Sequence, residues 1–367
     1  MTDFIPGLKL SQYFLEEAIA PLMAKGFPNL TYSAARLGWG SDVIGLDTPM
    51  SMDHGWGPKM TLFLKEDDHA AYYEDLNEYF KTHLPFTIRG FPTNFGEPLA
   101  DGGVMSLKER YPLHHMITIT TPEQFFQNYI GVNILKPLNP TVWLTIPQQR
   151  LCTLRAGRIY HDGLQRLGTL RKKFYWYPHD VWLYLMASQW QRIDQDEPFI
   201  GRTGSVGDEL GSHLIAGRLV KDIMQLCFLI EKAFSPYRKW FGTAFKQLEC
   251  GPTFFPLLAD VLNSQVWKTR ETHLSRAYAF LAEKHNMLAL TPKIDAEVSN
   301  FYNRPFLVPH AARFAEALRS QIEDPAVRDL PPNLGSVDQF TDNTDVLEDL
   351  DRCKTLGHLY HQPQKLT

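Results

Sequence analysis

The feature that most constrains this chain is a change of hydrophobic rhythm near residue 147. Before it, short apolar runs such as "KMTLFL", "FTIRGF" and "HHMITITT" alternate with segments of helical periodicity. After it, apolar residues recur every three or four positions through long stretches, broken only by brief Pro and Gly interruptions. A period of two lines one face of a strand, and a period near 3.6 lines one face of a helix. The first part therefore predicts an α/β (α+β) domain with a mixed sheet, and the second an all-α helical bundle. The expected bounds are 1–147 for the sheet domain, 148–335 for the bundle and 336–367 for a Pro-, Asp- and Asn-rich irregular segment.

Local signals mark individual elements. Residues 9–25 carry Phe14, Leu15, Ala18, Ile19 and Leu22 at helical spacing. Asp67 or Asp68 is an expected N-cap for the helix through "AAYYEDLNEYFKTHL". "TPEQFFQNYIG" has Thr121 as cap, Pro122 at the first position and Gly131 as the stop. Pro178 is placed to start a helix with Asp180 in its first turn, and Asp208 and Glu209 to start another. Two prolines in "RPFLVPH" oppose a helix there, which removes the Arg–His pair that a helical ribonuclease would need. "DQFTDNTD" lacks the spacing of a calcium loop and reads as caps and turns.

Bulk properties exclude several classes. With 44% hydrophobic and 21% charged residues there is ample material for a core. A net charge of −4 gives no reason to expect nucleic acid or an anionic membrane surface as partner. The local basic run "RLGTLRKK" reads as a solvated helix end. Cys152, Cys227, Cys250 and Cys353 show no metal-ligand spacing, so no zinc site is expected, and Cys227 reads as a core thiol. "MTDFIPGLKL" has no signal-peptide pattern, and "IMQLCFLI" is far short of the ~20 residues that span a bilayer. The expected location is a reducing cytoplasm, and the sequence leaves the oligomeric state open.

Chemistry concentrates in one stretch. Gly40-Ser41 is followed by eleven residues and then Asp53-His54-Gly55, ahead of the apolar run "KMTLFL". A Gly-Ser turn exposes backbone N–H groups and a hydroxyl, both phosphate ligands. Two carboxylates two apart on a strand share a face and can share Mg²⁺. Moving a nucleoside monophosphate needs that metal and groups that hold the triphosphate in line, and little covalent help.

This arrangement resembles the polymerase-β-type nucleotidyltransferase superfamily, which pairs a Gly-Ser turn with Asp-x-Asp on the next strand and a third carboxylate later. "YSAARLGWGSDVIGLDTPMSMDHGWGPKMTLFL", "LTIPQQRLCTLRAGRIYHDGL" and the long run from "WYPHDVW" to "KWFGTAF" extend the likeness. Through them the chain resembles an uncharacterised bacterial nucleotidyltransferase-like family with a domain of unknown function. It is also similar to antibiotic nucleotidyltransferases, in which a helical bundle follows the catalytic domain. The resemblance implies Asp53 as catalytic metal ligand, and Gly40, Ser41 and Lys239 on the triphosphate; Asp47, close in sequence, is the further metal ligand expected in place of the missing acid. It implies Glu209 as general base, and Arg218 and Lys221 as reserve cations. The implied cofactors are Mg²⁺ and a nucleoside triphosphate, and the implied acceptor is a small hydroxyl-bearing molecule.

Two departures qualify that expectation. Gly55 stands where a second metal acid is expected, and "HHMITITT" carries no acid, offering His114, His115 and Thr118 instead. Asp42 and Asp47 are the nearest substitutes. The alternative is a degenerate pseudoenzyme that binds a nucleotide or a protein partner without catalysis. Trp176, Tyr177, Trp182 and Trp190 are read mainly as core, with one or two available to stack on a base or sugar.

Overall fold

Alternation in the first part does become a sheet. In the computed structural model, which describes residues 3–96 and 103–361, the chain forms two units. The first is 1–137 with 150–175, and the second is 138–149 with 176–367.

The first unit opens with α1 (Gly7–Phe14), a π-helical turn over Leu15–Ile19 and α2 (Ala20–Gly26). Pro21 lies just past the π turn and has no N–H to offer the Glu17 carbonyl, so the regular ladder is interrupted there. The chain continues through β1 (Ser33–Arg36), β2 (Lys59–Phe63) and α3 (Glu66–His83). No side chain caps α3. Asp67 and Asp68 sit inside its first turn, where they meet the positive end of the helix dipole, and Lys65 occupies the N-cap. A small hairpin, β3 (Thr87–Ile88) and β4 (Phe91–Pro92), precedes β5 (Met116–Thr120). In α4 (Pro122–Ile130) the Thr121 hydroxyl accepts from the Gln124 amide, and Gly131 ends the helix in the left-handed conformation, as the sequence predicts.

After α5 (Pro140–Thr145) and α6 (Gln148–Ala156) comes β6 (Arg158–Asp162), a strand inside the stretch 148–335 expected to be all-α. Gly157 makes the switch possible, because a Cβ there would lie 2.5 Å from the Arg36 carbonyl oxygen. The sheet order is β5-β2-β1-β6. β2 and β5 are parallel, and β1 is antiparallel to both β2 and β6. The sheet is thus mixed, but it does not close at residue 147: its last strand lies beyond that point, followed by α7 (Leu167–Lys172). Leu10, Phe14, Leu62, Leu76, Phe80 and Ile119 share the core between sheet and helices.

The second unit is mostly helical, as its periodicity predicts, but it is not all-α, because the stretch 299–308 pairs as a two-stranded hairpin. It contains α8 (His179–Asp196), α9 (Phe199–Gly204), α10 (Glu209–Ile230), α11 (Arg238–Lys246), α12 (Gly251–Asn263) and α13 (Trp267–Met287). Trp190 is fully buried, stacks on Phe314 at 4.3 Å and donates to His285 Nδ1. A hairpin of β7 (Ser299–Phe301) and β8 (Arg304–Val308) takes up "RPFLV", and α14 (Ala312–Arg319) and α15 (Pro325–Arg328) follow.

The segment expected to be irregular is ordered through residue 361. It forms α16 (Val337–Phe340), α17 (Thr344–Leu347) and α18 (Leu350–Thr355), each with a side-chain cap or capping box. Val337 and Cys353 are fully buried, and the Asp338 carboxylate accepts from the Gln148 amide. Polar residues that read as coil supply these caps. Residues 362–367 lie outside the described residues.

Candidate functional site

The Gly-Ser turn is organised by an arginine that the sequence reading passed over. Arg36 closes β1 and is buried. Its Nε and Nη2 donate to the two carboxylate oxygens of Asp42 at 2.7 and 2.9 Å. Nη1 donates to the Leu37 carbonyl and Nη2 also to the Trp39 carbonyl. One fork thus ties the strand end, the residue between two glycines and the acid inside the turn. Gly40 has φ +136°, and a Cβ there would fall 1.9 Å from Asp42 Oδ1 and 2.7 Å from Arg36 Nη2. Only glycine lets the chain pass the ion pair. Ser41 follows, partly exposed, and opens the turn over 41–45. Among the described residues, the N–H groups of Ser41 and Asp42 donate to no backbone carbonyl or side chain.

Lys59, the first residue of β2, stands at this corner. It is mostly buried yet still partly exposed, and its Nζ donates to the Gly55 carbonyl. Desolvation first, then repulsion from Arg36, push its pKa down from 10.5 to about 8, with Asp42 acting in the opposite direction. Asp42 is already matched by Arg36, so Lys59 is a second cation beside a neutralised pair. An ammonium has three donors, and the Gly55 carbonyl takes one.

The expected metal ligands are placed differently from the strand pattern. Asp53 ends a single 3-10 turn, Pro49–Asp53, six positions before β2 begins. It and Gly55 therefore do not share a strand face: Gly55 and Gly57 adopt φ of +60° and +142°, and Pro58 follows, so the chain cannot extend until Lys59. Asp53 is exposed and pairs with His54 at 3.0 Å. Desolvation is the largest single effect and raises its pKa, but the hydrogen bonds and charge of His54 together outweigh it, so the pKa is lowered. Asp47 has a structural engagement, its Oδ2 accepting from the Gly7 amide at 2.7 Å and the Trp56 indole at 2.9 Å. Among the described residues no group of three or more His, Cys, Asp or Glu side chains is arranged to hold a metal ion. The residues present do not form the shared-face carboxylate pair that Mg²⁺ would need. Just before β5, His115 faces the Asn77 carbonyl and accepts from the Ile117 amide, and desolvation lowers its pKa.

Glu209 and Lys239 belong to the second unit, apart from the Gly-Ser corner in the division of the chain. Glu209 is a brace: its Oε1 accepts from the Trp267 amide and its Oε2 from Arg270. Arg270 is fully buried and also reaches Ser212, His213 and the Ser264 carbonyl. Asp208 caps α10, as expected. Lys239 is exposed on α11, its Nζ 5.0 Å from the centre of the Trp240 ring. Arg218 pairs with Asp196 and Lys221 with Asp342. Tyr177, Trp182 and Trp190 are buried core residues.

The corner therefore unites Gly40 and Ser41 with Arg36, Asp42 and Lys59. A sequence signal existed for Lys59, the one cation opening an otherwise apolar strand, but nothing in spacing separates Arg36 from any other strand-end arginine.

No curated protein matches the chain. A crystal structure of a nucleotidyltransferase-like protein from Exiguobacterium sibiricum 255-15 is 11% identical, covering 84% of this chain and 89% of that one, with a TM-score of 0.33. A TM-score this low does not establish a shared fold. Residues 143–241 match the model of a family described as a domain of unknown function (DUF4037), a stretch that includes Arg150, Glu209 and Lys239 and excludes Gly40, Ser41, Asp47, Asp53 and Lys59.

Proposed function

We propose that the first unit binds the phosphate chain of a nucleotide at the Gly40–Ser41 turn and Lys59, without transferring it. The observation that carries this reading is Lys59, a desolvated ammonium beside an arginine whose charge Asp42 already balances. Among the described residues no acid pairs with Lys59; a phosphate there would supply a negative charge, and the turn's N–H groups and the Ser41 hydroxyl would complete its coordination. Asp42 and Asp47 are committed to Arg36 and to Gly7 with Trp56. The transfer reading, a nucleoside monophosphate passed to a small hydroxyl-bearing acceptor, rests on Asp53 as the metal ligand.

Calorimetry with ATP, GTP, CTP and UTP, with and without Mg²⁺, separates the two. The expected result is binding that does not require Mg²⁺, persists in Asp53→Asn and weakens above pH 8 as Lys59 loses its proton. No binding of any triphosphate overturns the proposal. Mg²⁺-dependent pyrophosphate release that Asp53→Asn abolishes establishes transfer instead.

A further inference from the structure

Between Gly38 and Gly40 stands Trp39, 44% exposed, whereas the other seven tryptophans are buried or partly buried. One face of its indole is covered: the Arg150 guanidinium lies 4.5 Å from the ring centre. Arg150 is itself held, with Nη1 donating to the Tyr129 carbonyl at 2.6 Å. Tyr129 meets Trp39 edge-on, the rings 5.7 Å apart at 79°. The backbone is fixed as well, because the Trp39 carbonyl accepts from Arg36. Gly38 and Gly40, at φ +93° and +136°, put no Cβ on either side. An indole so held, with a cation behind it, is a rigid aromatic surface two residues from Ser41.

We infer that Trp39 is the stacking platform for the base of the bound nucleotide, an inference that rests on the phosphate-binding reading above. Every base presents a π-face, so a platform of this kind accepts all four and favours the larger purines. The ligand class it selects is a purine nucleoside polyphosphate, held by its phosphates at Lys59 and by its ring at Trp39. Arg150 acts as a positioning residue that fixes the indole from behind and strengthens it by a cation–π contact.

The test compares ATP with inorganic tripolyphosphate by calorimetry on the full chain and on Trp39→Ala and Trp39→Phe. Stacking on one aromatic ring corresponds to about 10- to 100-fold in affinity. The expected result is that the wild type binds ATP more tightly than tripolyphosphate by that factor and binds ATP more tightly than UTP. Trp39→Ala should lose the ATP advantage while binding tripolyphosphate unchanged, and Trp39→Phe should keep most of it. Tripolyphosphate binding with no advantage for ATP, or an advantage that survives in Trp39→Ala, overturns the inference alone. Failure of both ligands to bind the wild type overturns it together with the phosphate-binding reading.

Discussion

Each unit buries an arginine against an acid, and the two pairs have different consequences. In the second unit Arg270 is fully buried, and Glu209, Ser212, His213 and the Ser264 carbonyl surround it with acceptors. In the first unit Arg36 is equally committed, to Asp42 and two carbonyls, but Lys59 stands beside the pair with a depressed pKa. A buried arginine with its own acid is architecture. A further cation next to such a pair, partly exposed and without a matching acid among the described residues, marks a place prepared for an anion.

The strongest way to break that contrast is Asp42→Ala. It leaves Arg36 buried beside Lys59 with no negative partner, and removing one member of a buried pair costs about 3–5 kcal/mol. Urea denaturation should show this loss; a loss below 1 kcal/mol would mean the pair is solvated and the corner is not built as described. Lys59→Met should act in the opposite direction on stability. The folded pKa of Lys59 lies below its unfolded value, so its protonated form opposes folding. That cost is full below pH 8, shrinks as pH rises toward 10.5 and vanishes above it. The substitution should therefore stabilise the protein by roughly 2–3 kcal/mol at pH 7, with the gain fading at high pH, and should abolish triphosphate binding. A variant that is stabilised yet still binds ATP would separate Lys59 from the site.

Glu209→Gln is the smallest expected effect. Its side chain is 39% exposed and Arg270 keeps its other acceptors, so after allowance for solvent screening the loss is about 1 kcal/mol. Nucleotide binding should not change; a large drop in binding would restore Glu209 to the functional role the resemblance implies.

Legibility followed the range of the causes. Thr121, Pro122 and Gly131 determine their helix through local hydrogen bonding and φ preference, and the sequence shows all of it. β6 was hidden because "RIYHD" is a partly exposed edge strand whose identity depends on pairing with β1, more than a hundred residues earlier. The helices after Ser336 were hidden because their caps are the same Asp, Asn and Ser that signal coil. At the candidate site the Gly-Ser turn was legible from backbone chemistry. Asp53 lies on a 3-10 turn six positions ahead of the strand, because Gly55, Gly57 and Pro58 delay β2, which spacing alone does not register. The role of Lys59 depends on burial and on Arg36 nearby, neither of which spacing records.

The late return of β6 bears on how the protein is made. The sheet holds only three of its strands until residues 158–162 have left the ribosome, and by then 138–149, which belong to the second unit, have already emerged. A nascent chain stopped near 147 would carry the backbone of Ser33–Arg36 unpaired along one side, an open template for the strands of other chains. Completing the first unit is thus tied to synthesis passing well beyond its apparent boundary, and the corner at Arg36, which lies on that same edge strand, gains its neighbouring strand only at that moment.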